Sequence, residues 1–125
     1  MKTIASLSAA LLLLPAAAFA DARTEIALAA QHAALAAESG DVKLVHTHLH
    51  HTLNCLVGPS GPGFDAHEMN PCVNAGHGAI PDAGVNKQLA LKAAADQARR
   101  GLAEPDLAKA QADAARCAVM LQGDE

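Results

Sequence analysis

Large aromatic side chains are almost absent from this chain, which has no tryptophan, no tyrosine and only two phenylalanines, Phe19 and Phe64. The length of 125 residues allows one domain, but its core has to be built from alanine and aliphatic residues. Short side chains let helices approach closely but bury little area each, at about 25 cal/mol per Å2. We therefore expect the stability of so small a domain to depend on a disulfide or a bound metal ion.

Basic residues are also scarce, with 9 Lys and Arg against 13 Asp and Glu and a formal net charge of −4. Such a chain lacks the basic surface that binds a phosphate backbone, so no nucleic-acid partner is expected. Beyond the first twenty residues, no segment approaches the roughly 20 consecutive apolar residues of a spanning helix, so no membrane span is expected. The glycines match neither a phosphate loop nor a dinucleotide fingerprint, and the acidic residues lack the spacing of an EF-hand.

The first twenty residues have the pattern of a secretory signal peptide. Lys2 supplies the charged start, residues 4–18 an apolar stretch interrupted by Pro15, and Ala18-Phe19-Ala20 a small-x-small cleavage signal. We predict that residues 1–20 are removed and that residues 21–125 form a single helical domain. The mature protein is then expected in the periplasm or outside the cell, where conditions are oxidising.

Turn residues divide the remaining chain into four helices and one long insertion. The helices are expected at about 21–40, 41–57, 83–100 and 104–123, with Asp41 as an N-cap and Pro105 in the first turn of the last. Residues 58–83 are rich in glycine and proline, so no regular element is expected there. Heptad-spaced apolar stripes and short connections favour an all-α, antiparallel four-helix bundle. Residues 45–50 also alternate as a strand would, but no partner strand is evident.

Four of the seven histidines lie within residues 46–51. On a helix, His46 and His50 flank one edge of the apolar stripe, whereas His48, His51 and Cys55 lie together on another face. Imidazole is the commonest protein ligand for zinc, copper and nickel, and residues three or four apart are neighbours on a helix. The pattern predicts these four histidines as the primary metal ligands. The competing interpretation is a solvated polar face that is rich in histidine.

The insertion holds a second group of candidate ligands, His67, Met69 and His77, around Cys72. Imidazole, thioether and thiolate together suit a soft ion such as Cu(I), so copper is expected first and zinc or nickel next. His32 lies on the apolar stripe of the first helix, where a lone histidine is more often a core or boundary residue than a ligand. Its replacement is expected mainly to affect stability.

Three cysteines allow three single pairings: Cys55 with Cys72, Cys55 with Cys117, or Cys72 with Cys117. We predict the Cys55–Cys72 disulfide, because it would hold the insertion against the end of the second helix and leave Cys117 as a small buried residue. In the competing case, reduced Cys55 would join His48 and His51 as a thiolate ligand. Such a site is less suited to an exported protein.

These features predict an exported, non-catalytic protein that binds a transition metal ion. Its role would be to buffer the ion, to deliver it, or to confer resistance to it. Its partners would be the ion and either another protein or a second copy of the chain. The main alternative is a cell-envelope interaction module whose histidine face gains charge below about pH 6.5. Haem ligation lacks a Cys-x-x-Cys-His motif, and a Cys55/His51 nucleophile pair lacks a third group to orient the base.

Overall fold

The computed structural model describes residues 22–123, and its regular secondary structure is entirely α-helical. Residues 1–21 and 124–125 lie outside the described part, so the predicted signal peptide at 1–20 does too. The described residues form four long helices and one helical turn: α1 Ala22–Glu38, α2 Val42–Val57, α3 Ala79–Asp82, α4 Val85–Ala103 and α5 Leu107–Gln122. The prediction of an all-α protein is confirmed. None of these helices is both long enough and apolar enough to span a bilayer.

Aspartate N-caps determine where two of the long helices begin. The Asp41 carboxylate accepts hydrogen bonds from the backbone N–H groups of Lys43 and Leu44, at 2.8 and 3.2 Å. Asp106 accepts from Lys109 N–H at 2.9 Å and caps α5 in the same way. The predicted start of the last helix at 104–105 is therefore wrong, because Pro105 lies before the cap rather than in the first turn.

Successive neighbours among the long helices run antiparallel. The end of α1 meets the start of α5, where the Gln111 side chain donates to the Ser39 carbonyl at 2.7 Å. The His46 ring on α2 donates to the carbonyl of Glu104, just beyond α4, at 2.8 Å. In the middle of the α4–α5 pair, the Gln97 amide donates to the Asp113 carboxylate at 2.9 Å. Polar side chains thus fix the register between helices whose apolar contacts alone would allow sliding.

Alanine forms much of the buried contact surface between the helices. The larger fully buried residues are Ile26, Leu49, Leu56, Leu91 and Leu121, and buried alanines lie beside them on α1, α4 and α5, whereas α2 has no alanine and contributes valine and leucine. At Gly101 the side chain of Leu49 packs directly against the α4 backbone, since a Cβ atom there would lie 2.6 Å from the Leu49 Cδ1 atom. Small residues therefore compensate for the missing aromatic rings by letting the helix backbones come close together.

The segment between α2 and α4 consists of turns and the four-residue helix α3. The expectation that residues 58–83 contain no regular element is wrong at Ala79–Asp82, where the Asp82 and Ala83 N–H groups bond to the carbonyls of Gly78 and Ala79 at 3.1 and 2.9 Å. Gly78 begins this turn with a φ of 119°, which a residue with a side chain rarely adopts.

The Cys55–Cys72 disulfide joins α2 to this segment, as predicted, with its Cα atoms 5.1 Å apart. Cys117 is the remaining cysteine and is buried between α5 and α4, where its thiol faces the Ala94 carbonyl at 3.4 Å. Burial without a charged partner raises the pKa of the Cys117 thiol to about 12, so this residue is a packing group and not a nucleophile.

Candidate metal centre

The α1–α2 hairpin brings histidines from two helices onto one face. His32 lies eight residues before Gly40 and His48 eight residues after it, so the antiparallel hairpin sets them opposite each other. Their Nδ1 atoms are 3.3 Å apart. One turn further along, the Thr52 hydroxyl donates to the Ala29 carbonyl at 3.2 Å, which holds the two helices in this register.

His51 completes a histidine triad with His32 and His48. One nitrogen from each ring lies within 4.8 Å of the other two, and the ring centroids are 5.1 to 5.6 Å apart. Two imidazole nitrogens on one tetrahedral zinc ion stand about 3.3 Å apart, since each Zn–N bond is about 2.0 to 2.1 Å. The His32–His48 spacing matches this distance, and a nitrogen of His51 lies within 4.8 Å of both.

The triad lies at the boundary of the core, with His51 buried and the other two half-buried. Burial, reinforced by the neighbouring charges of His51 and His48, lowers the pKa of His32 to about 4. Burial and the proximity of His48 also lower the pKa of His51, against the opposing effect of the Glu68 carboxylate. Both rings are therefore neutral at pH 7 and offer lone pairs to an ion without first losing a proton.

The two nitrogens of His51 have different surroundings. Nε2 faces the Glu68 carboxylate, whose Oε2 atom is 3.6 Å away, whereas Nδ1 is buried and has no hydrogen-bond partner within the described chain. A buried nitrogen without a partner costs free energy, so the arrangement favours a ligand that satisfies it.

The other two histidines of the 46–51 run lie outside the triad. The His46 ring donates to the Glu104 carbonyl at the α4 end, and the His50 ring faces Asp65 in the insertion, with Nδ1 3.8 Å from Oδ2. Of the four predicted primary ligands, the structure thus brings together only His48 and His51. His46 and His50 connect α2 to its neighbours instead.

The candidate ligands of the insertion are also dispersed. The His77 ring lies 3.3 Å from the Asp82 carboxylate and is 84% exposed, Met69 is 54% exposed, and His67 is exposed. Cys72 is oxidised in the disulfide and cannot act as a thiolate. The soft donor set that favoured Cu(I) is therefore not assembled in the described part of the chain.

Asn54 and Glu25 are two buried polar residues that the sequence analysis did not single out. The Asn54 amide donates to the Asp65, Glu68 and Met69 carbonyls at 2.9, 3.3 and 3.1 Å and accepts from the Asp65 N–H at 2.9 Å. An amide in the apolar half of a helix is unusual enough to have marked this position. Asn54 folds the insertion so that Glu68 stands beside His51.

Glu25 lies fully buried on α1, below the turn that begins α3. Its Oε1 atom accepts the Gly78 N–H at 2.8 Å, while Oε2 has no hydrogen-bond partner in the described region. Burial raises the pKa of Glu25 to about 7; the Gly78 bond opposes this, and the adjacent Asp82 carboxylate adds to it. Asp82 is itself bonded by the His77 N–H at 2.7 Å. Glu25 therefore holds its proton up to near neutral pH.

Comparison of the chain with protein-family models, with curated proteins and with solved structures finds no match. The geometry of the histidine triad is consequently the main evidence about function.

Proposed function

We propose that this protein binds a divalent transition metal ion through His32, His48 and His51. The observation that supports the proposal is the convergence of three imidazole nitrogens within 4.8 Å on a register-locked hairpin. Three histidines with room for a further ligand are a known zinc donor set, and imidazole also suits copper and nickel. The partnerless Nδ1 of His51 adds a group whose burial an ion would offset.

Among divalent ions, we expect Cu(II) to bind most tightly and Zn(II) or Ni(II) less tightly. The triad offers nitrogen donors of intermediate softness, and affinity at such sites follows the general order in which Cu(II) exceeds both neighbours. Copper therefore remains the first candidate. The reason is now the affinity order at nitrogen donors and no longer the thioether and thiolate groups of the insertion.

We further propose an exported carrier or buffer without catalytic activity, built on an antiparallel four-helix bundle with a Gly/Pro-rich insertion. The signal-peptide pattern of residues 1–20 and the Cys55–Cys72 disulfide support export to an oxidising compartment. Ligands at the boundary of the core, two of them half-buried, suit an ion that must be both held and released.

The test is a chelator-competition titration of the oxidised protein with Cu(II), Zn(II) and Ni(II) at pH 7.5. The double variant His48→Ala/His51→Ala and the single variant His32→Ala should each weaken binding by at least about tenfold, because each removes ligands of the triad. The matched control is His46→Ala/His50→Ala, which removes two histidines from the same helix and should retain the wild-type affinity. No saturable binding, or equal loss in both double variants, would overturn the assignment. The first result would favour the envelope interaction module.

A further inference from the structure

Glu68 lies beside the histidine triad without belonging to it. Its carboxylate Oε2 is 3.6 Å from His51 Nε2, just beyond direct hydrogen-bond distance, and its side chain is about one-third exposed. Asp65 contacts His50 at 3.8 Å from the same segment and is equally exposed, but His50 lies outside the triad. The insertion thus presents two comparable carboxylates, and only one of them faces a triad histidine.

A neutral imidazole carries one proton, on either Nδ1 or Nε2, and only the other nitrogen can bind a metal ion. A carboxylate that faces Nε2 favours the proton there, since Nε2–H can donate to it. The lone pair of His51 is then on Nδ1, the buried atom that has no partner among the described residues. Carboxylates in this position orient metal-binding histidines and raise their basicity.

The position of Glu68 is determined by covalent and hydrogen-bonded links to α2, the helix that carries His51. The Asn54 amide donates to the Glu68 carbonyl at 3.3 Å, and the Cys55–Cys72 disulfide joins the following turn to the same helix. Asn54 and Cys55 are the third and fourth residues after His51. The segment that supplies the carboxylate is therefore connected to the helical turn directly after the ligand.

We propose that Glu68 is a positioning residue of the metal centre, which accepts a hydrogen bond from Nε2–H of His51 and leaves the Nδ1 lone pair for the ion. This inference rests on the proposed function of the triad. Loss of such a partner lowers metal affinity by about 10- to 100-fold in other metal sites. We expect Glu68→Gln at the lower end of this range, because the amide oxygen can still accept a hydrogen bond from Nε2–H, and Glu68→Ala at the upper end.

The experiment measures Zn(II) affinity by chelator competition for the wild type, Glu68→Gln, Glu68→Ala and the control Asp65→Asn, all oxidised and at pH 7.5. Asp65→Asn removes one negative charge from the same segment, so it measures the loss due to general electrostatics alone. Urea unfolding without metal shows whether a variant has lost stability, and the Co(II) absorption spectrum reports the donor set. Zn(II) binding is expected to be weaker in both Glu68 variants and unchanged in Asp65→Asn. The Co(II) band positions and the metal-free stability should be the same in all of them.

Three results would overturn the proposed positioning role of Glu68. Affinity of Glu68→Ala within about threefold of the control would show that the carboxylate has no effect on the ion. Shifted Co(II) bands in Glu68→Gln would make Glu68 a direct ligand, and a matching loss of metal-free stability would make it a structural residue. If the wild type binds none of Zn(II), Cu(II) and Ni(II), the proposed function itself fails, which separates that outcome from a failure limited to Glu68.

Discussion

Glu25 and His32 should make opposite contributions to the pH dependence of stability. Replacing either residue should therefore reveal the pH dependence that the other one causes. Glu25 has a pKa near 7 in the folded protein and an ordinary value of 4.5, so between these limits the folded state holds a proton that the unfolded chain has released. Its contribution to the free energy of unfolding is complete below pH 4.5 and is lost as the pH rises through 7. One proton corresponds to about 1.4 kcal/mol per pH unit.

His32 acts in the reverse direction, because its pKa falls from 6.5 to about 4 on folding. Between these values the unfolded chain binds the extra proton, so stability decreases as the pH falls, again by about 1.4 kcal/mol per unit. The lowered pKa of His51 adds to this effect. From pH 5 to 6.5 the contributions of Glu25 and His32 should largely cancel in the wild type.

The assay is urea unfolding of the oxidised, chelator-treated protein at several values from pH 5 to 6.5. Glu25→Gln retains an oxygen for the Gly78 N–H but does not titrate, so its stability should rise across this range by about 2 kcal/mol more than that of the wild type. His32→Gln should show a change of similar size in the opposite direction. The control Glu38→Gln removes an exposed carboxylate from the end of α1 and should follow the wild type. Parallel pH profiles for Glu25→Gln and the wild type would refute the reasoning.

Three further predictions concern the fold. Replacing Cys55 and Cys72 together by serine should lower the free energy of unfolding by about 3 kcal/mol, as expected for a separation of 17 residues, and thermal unfolding that is unchanged would contradict this. Gly101→Ala should cost about 1 to 3 kcal/mol in urea unfolding through its clash with Leu49, and Leu49→Ala in the same chain should remove part of that added cost. Gly58→Ala should destabilise the insertion, since its φ is 71° and a Cβ atom would collide with the His77 carbonyl. Circular dichroism should nevertheless show unchanged helix content, and a loss of helix would argue against this local effect.

The boundaries of α2 follow from local signals, which is why the sequence predicts them. Asp41 caps α2 with its own side chain, and Gly58 and Pro59 stop the same helix at Val57. Both effects act within a few residues. The single turn α3 was missed because Gly78 and Pro81 suggest an irregular chain, whereas tertiary contacts hold the turn in place.

The triad was only half predictable because it depends on the pairing of two helices. His48 and His51 could be placed on one face from their spacing alone, but helical periodicity does not show what that face contacts. His32 was assigned to the core since it lies on an apolar stripe. The available signal was that His32 and His48 are each eight residues from Gly40, because residues placed symmetrically about a tight turn meet in an antiparallel hairpin. The role of Glu68 depends on the fold of the insertion, which no local rule specifies.

The three triad histidines lie within twenty consecutive residues, on helices joined by a tight turn. Loop closure over so short a span is fast and costs little chain entropy. An ion bound at this hairpin would therefore stabilise the α1–α2 pair even before α4 and α5 pack against it. Since all three ligands belong to α1 and α2, metal binding would stabilise this helix pair directly, without a ligand from α4 or α5.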